Sequence, residues 1–120
     1  MTPLHLAAWF SSAAVVRTLS DAGSYVDALD SDQNSPLHWA SWKNPAVLPV
    51  LIGAGCKVNL LNEFWCSPLF LAASIGKDRS AVATLMSAAA DPHLGKGPIF
   101  PLTHHSISSE MKDYIRGLSE

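Results

Sequence analysis

A chain of 120 residues, 48% of them apolar, carries enough hydrophobic matter for one compact domain with a real core. Eight basic and ten acidic side chains give a net charge of −2 with no basic run, which argues against a nucleic-acid partner. No stretch approaches the roughly 18 apolar residues of a membrane span or the layout of a signal peptide, and Cys56 and Cys66 alone are too few for a disulfide scaffold, so a soluble protein of a reducing intracellular compartment, cytoplasmic or nuclear, is expected.

The chain opens on Thr2-Pro3-Leu4-His5-Leu6-Ala7. Thr before Pro is a helix entry, because the hydroxyl accepts from an orphan amide and Pro in the first turn has no N–H to lose. A short helix of Leu and Ala follows, the chain turns near Ser11-Ser12, and Val15-Val16 with Leu19 lay an apolar stripe along a second helix. Gly23 comes where a left-handed C-cap favours glycine, and the Asp-, Ser- and Asn-rich residues after it predict a turn or projecting hairpin. Then Ser35-Pro36-Leu37-His38-Trp39-Ala40 repeats the opening 33 positions on.

In this second copy Val47-Leu48 and Leu51-Ile52 supply the stripe and Gly55 the stop. With Asn44 as cap and Pro45 as first residue, Pro49 would remove an interior hydrogen bond at a cost of ~3 kcal/mol. The helix is therefore predicted to kink or to start late. A third copy begins at Ser67-Pro68-Leu69-Phe70-Leu71-Ala72, continues through Ala81-Val82 and Leu85-Met86, and ends at Ala89-Ala90. A worn fourth starts at Phe100-Pro101-Leu102-Thr103; Tyr114, Ile115 and Leu118 form its inward stripe, with Glu110, Asp113 and Arg116 left for solvent. The units run over 1–34, 35–66, 67–99 and a degenerate capping unit at 100–120, the second one residue short near Lys43-Asn44 and the third one residue long around Gly76-Lys77-Asp78-Arg79.

The phrase Thr-Pro-Leu-His-x-Ala with a period near 33 resembles the ankyrin repeat, and the likeness covers essentially the whole chain. It implies an all-α solenoid of antiparallel helix pairs, stacked in L-shaped units with hairpin fingers and working as a non-catalytic protein-binding surface. Stacking follows independently from physics, since one such helix pair cannot bury its apolar face alone. The resemblance also implies that His5 and His38 bond near the Thr or Ser hydroxyl of their own unit; Phe70 and Thr103 replace them later, so the last two units should be less regular. Gln33 and Trp65 stand where the family has a turn glycine, and positive φ there would be strained.

Chemistry is sparsely represented. His104 and His105 are adjacent, so on a helix they diverge by about 100°, and with His93 they lack the Cys or carboxylate company of a metal site. Cys56 and Cys66 have no local activating partner and read as structural thiols. Gly95-Lys96-Gly97 is too short for a phosphate loop. No enzyme, cofactor or metal is expected.

In the family, the groove is built from finger tips and from the helix positions two and three residues after the motif Ala. Carried over, these are Trp9, Phe10, Trp42, Lys43, Ser74 and Ile75, with Ser31, Asp32 and Asn34 in the first finger and Glu63, Phe64 and Cys66 in the second; Trp65 stands beside them. Clustered exposed aromatics make hot spots, although Trp9, Phe10 and Trp42 also suit packing between units, and Trp39 suits partial burial. Asp30 and Asp32 read as a solvated acidic edge. The same resemblance makes Asn59 a candidate for hydroxylation, with a structural asparagine as the alternative. The expected partner is a protein held in the aromatic groove; the alternative is a structural segment of a larger array, joined or self-associating through the uncovered outer face of the first unit.

Overall fold

The computed structural model describes residues 2–76, 78–91 and 109–119. The fourth opening phrase at 100–103, His93, His104, His105 and Gly95-Lys96-Gly97 lie outside the described residues.

Among the described residues, three helix pairs and a last helix stack in chain order. The first pair is α1 (Pro3–Phe10) and α2 (Ala13–Asp21), and the second is α3 (Pro36–Lys43) with α4 (Leu48–Gly53). The third is α5 (Pro68–Leu71) with α6 (Arg79–Ser87), and α7 (Ser109–Ser119) packs on α6. Among the described residues there is no β-strand. Each first helix starts from the expected cap: the hydroxyls of Thr2, Ser35 and Ser67 accept from the amides of His5, His38 and Phe70, with Pro in the first turn. His5 and His38 close the box reciprocally, each ring Nδ1 accepting from the cap residue's own amide at 3.1 Å.

The core runs through the stack. Leu4, Leu37 and Leu69 of the first helices and Val16, Leu48, Leu51, Val82 and Leu85 of the second are essentially inaccessible, and each such side chain contributes ~1.5–3 kcal/mol. Ala8, Ala40 and Ala72, each fully buried, let successive helices approach closely. In α7 the buried pair is Met111 and Ile115, with Tyr114 half-buried under the Arg79 guanidinium. Leu118, expected inside, is 41% exposed although it shares the face of Met111 and Ile115; it stands in the last turn of α7.

Loops absorb the irregularities. Pro49 does delay its helix: Pro45–Val47 forms a 3-10 turn, Leu48 N–H bonds to the Pro45 carbonyl, and α4 then carries Pro49 in its first turn, where no donor is missed. Asn44 does not cap by its side chain; its Nδ2 instead donates to the Ser11 carbonyl at 2.7 Å and ties the second loop to the first. The extra residue of unit three is taken up by a π-helical turn at Ala72–Gly76, closed by Asp78 N–H on the Ala72 carbonyl at 3.2 Å, after which Asp78 caps α6.

The second helices end in left-handed stops at Gly23 (φ 92°), Gly55 (φ 89°) and Ala89 (φ 69°). In each, the residue after the stop donates back to the carbonyl five residues earlier, giving the paired bonds of a Schellman end. Gln33 (φ 65°) and Trp65 (φ 62°) take the same region at the finger tips, as the missing glycines predict.

Candidate functional site

The fingers are braced from within. Asp30 Oδ1 accepts from the amides of Asp32 and Asn34, each at 2.9 Å, and closes the first tip. Asn62, the matching residue of the second finger, accepts with Oδ1 from Phe64 at 2.9 Å and Cys66 at 3.0 Å. Its Nδ2 donates to Asn34 Oδ1 at 2.8 Å, and the Glu63 amide donates to the Asp32 carbonyl at 2.9 Å, so the two fingers hold each other. Asp30 is therefore no mere solvated edge, as its sequence context suggested. Burial pushes its carboxyl up, but the amide of Asn34, the indole of Trp39 and the amide of Asp32 outweigh this and hold it below the ordinary carboxylate value.

Against these fingers the first helices present a row of rings. Trp9 and Trp39 lie 5.3 Å apart between centroids, Trp39 and Trp42 stack at 5.5 Å, and Phe10 meets Trp9 edge-on at 5.8 Å. Lys43 Nζ sits 4.8 Å over Trp42. The row has a register: Trp39 of unit two packs back on Trp9 of unit one, so Leu6, which holds Trp39's place in unit one, is left 41% exposed.

A hollow of about 450 Å³ opens between row and fingers, lined by Trp39, Trp42, Phe64, Cys66, Leu71 and Asp32 among others. Phe64 is 58% exposed on its rim. Trp65, although adjacent in sequence, faces a separate hollow of about 360 Å³ with Ser31, Gln33, Leu61 and Glu63. The positive φ of Trp65 turns the two neighbouring aromatics to different sides. The structure thus brings Trp42 and Phe64 together, sets Trp9, Phe10 and Lys43 along the same row, and parts Trp65 and Glu63 from them. Ile75 falls in the π-turn, and its side chain lies outside the described residues.

Nothing in this arrangement activates a nucleophile. Burial, with Asp27 nearby, pushes the Cys56 thiol up to about 12, and burial raises that of Cys66, so both stay protonated at neutral pH. Among the described residues no group of three His, Cys, Asp or Glu is placed to hold a metal ion, and no helix is long and apolar enough to cross a membrane.

Asn59 is exposed, yet both ends of its amide are engaged: Nδ2 donates to the Ala89 carbonyl at 3.2 Å and Oδ1 accepts from the Asp91 amide at 2.8 Å. Asp27 makes the accepting half of this link one unit earlier, from the Lys57 amide at 2.8 Å. These links between units, like the bonds from His5 Nε2 to the Asn34 carbonyl and from His38 Nε2 to the Cys66 carbonyl, both 2.9 Å, escape sequence reading because each joins residues about 30 positions apart.

A family model described as "Ankyrin repeats (3 copies)" matches residues 1–62. The chain belongs to the ankyrin-repeat family. Ankyrin repeats are in general protein-interaction modules without enzymatic activity. Among curated proteins, "Protein fem-1 homolog A-like" of Mus musculus is 39% identical over 77 residues, and "Protein fem-1 homolog A" of Rattus norvegicus and of Homo sapiens are each 38% identical over the same length. Each alignment takes in 52% of this ankyrin-repeat chain and 12% of the relative, so the chain spans only a small part of the length of the proteins it matches.

Proposed function

We propose that the chain binds a partner protein through the concave hollow walled by Trp39, Trp42 and Phe64, with Trp9, Phe10 and Lys43 extending the surface along the helix row and Glu63, Trp65 and Ile75 at its margins. The supporting observation is that aromatic side chains frame an open depression whose walls are already braced by the finger network, so little ordering cost falls on binding. The reading treats the chain as non-catalytic and intracellular, built from units at 1–34, 35–66, 67–99 and 100–120.

Quantitative capture of partners by the parent and by the triple variant Trp9→Ala/Trp42→Ala/Phe64→Ala tests it, after circular dichroism has shown equal helicity. Loss of a captured protein in the variant supports the groove; unchanged capture sinks it.

A second reading is favoured by the exposure of Leu6 (41%) and Val15 (44%): the outer face of the first unit docks on another copy of the chain or on a neighbouring unit. Sedimentation that stays monomeric up to high concentration would remove the self-association form. Hydroxylation of Asn59, an exposed residue at a finger base, is checked by a mass gain of one oxygen after co-expression with an asparaginyl hydroxylase; an unmodified peptide ends that proposal.

A further inference from the structure

The second carboxylate oxygen of Asp30 takes no part in bracing the finger. Oδ1 alone accepts the two finger amides, while Oδ2 accepts from Trp39 Nε1 at 3.0 Å. Trp39 is the middle ring of the row, 5.3 Å from Trp9 and 5.5 Å from Trp42, and it lines the hollow.

The next unit provides an internal comparison. There Asn62 replaces Asp30 and Leu71 replaces Trp39. Asn62 still closes its finger through Oδ1, so an amide suffices for the turn. With no indole in reach of that role, the spare group is an NH₂, and it donates to Asn34 instead. A carboxylate thus stands where an indole N–H must be accepted, and an amide where it need not be.

We propose that Asp30 is a positioning residue for the groove: by holding the Trp39 indole through Oδ2 it fixes the ring that joins Trp9 to Trp42 and sets the floor a partner meets. An N–H bonded to a charged acceptor is worth more than a neutral pair, and a half-buried indole left facing an amide NH₂ would have donor against donor. The consequence for binding rests on the groove reading above, but the ring itself is read without any partner, so the two fail separately.

The experiment is amide and indole NMR on the parent, on Asp30→Asn, on Trp39→Phe and on the double variant, with the four indole N–H signals assigned by single Trp→Phe changes. In Asp30→Asn the Trp39 N–H should move upfield and exchange with solvent roughly tenfold or more faster, while the Asp32 and Asn34 amides stay protected. The Trp9 and Trp42 signals should shift in Asp30→Asn but not when the same change is made on top of Trp39→Phe. A Trp39 N–H that stays protected in Asp30→Asn overturns the assignment. So do shifts at Trp9 and Trp42 that are equal in both backgrounds, or an Asp30→Asn protein that loses its finger or its fold, since the carboxylate would then serve the turn.

Discussion

His38 bonds at both ends of its ring: Nδ1 meets the Ser35 amide and hydroxyl at 3.1 and 2.9 Å within its own unit, and Nε2 donates to the Cys66 carbonyl of the second finger at 2.9 Å. The ring is 1% exposed, and Nδ1 accepts from a backbone amide, so the neutral form with the proton on Nε2 is the one that fits. Burial lowers its pKa from 6.5 to about 4, against the opposing pull of the Cys66 carbonyl. Between those values the unfolded chain binds more protons than the folded one. Stability from this residue is therefore complete above about pH 6.5 and is lost as pH falls through about 4, a drop of about 3 kcal/mol. Urea unfolding at pH 7.5 and at pH 4 in the parent and in His38→Phe measures it, Phe70 being the occupant of the same place in unit three. The variant should be the less stable at pH 7.5 and the less acid-sensitive; equal pH slopes would refute the assignment.

Ala89 carries the third left-handed stop without glycine, its amide on the Met86 carbonyl and that of Ala90 on the Leu85 carbonyl, both 3.0 Å. The bonds follow the same pattern as at Gly23 and Gly55, so what differs in kind is the Cβ. Ala89→Gly should stabilise by about 1 kcal/mol, and Gly55→Ala should cost a similar amount. No atom lies within 4 Å of a Cβ built on Gly55, which leaves backbone conformation as the cause. Denaturant midpoints moving in opposite directions for the two variants are the expected result.

Asn59→Ala removes both links from the second finger base to the third unit and should cost about 1 kcal/mol, since its partners are exposed and can turn to water. Hydrogen exchange should show the Asp91 amide opening faster, with the Lys57 amide, held by Asp27, unchanged. Equal acceleration at both amides would mean that the links are not local.

The repeating phrase made the helix pairs, their caps, the glycine stops and the strained finger tips legible, because each depends on residues within a few positions of one another. The late start of α4 was likewise legible from Pro45 and Pro49. The long-range bonds were not: the role of His38 toward the far end of its own unit at Cys66, and of Asn59 toward Ala89 and Asn44 toward Ser11 in neighbouring units, depends on where folding places distant backbone. The Asp30 carboxylate misled because its indole partner, Trp39, is a side chain nine residues on in the first helix of the next unit. The aromatic strip came from the groove positions of the resemblance, with Trp65 set beside it as the sequence neighbour of Phe64; the two rings line different hollows, with Trp65 at a φ of 62°.

That division makes a prediction about binding. Phe64 rims the hollow shared with Trp39 and Trp42, whereas Trp65, itself 52% exposed, lines the other with Gln33 and Leu61. If the partner seats against the tryptophan row, Phe64→Ala should weaken capture by roughly thirtyfold, the effect of a hot spot of about 2 kcal/mol, and Trp65→Ala by less than about twofold. Trp65→Gly serves as the control for conformation, because it removes the ring and relieves the positive φ together. Titration of captured partner against immobilised parent, Phe64→Ala and Trp65→Ala decides the side. A larger loss in Trp65→Ala would move the binding face to the outer hollow and strip the tryptophan row of its role.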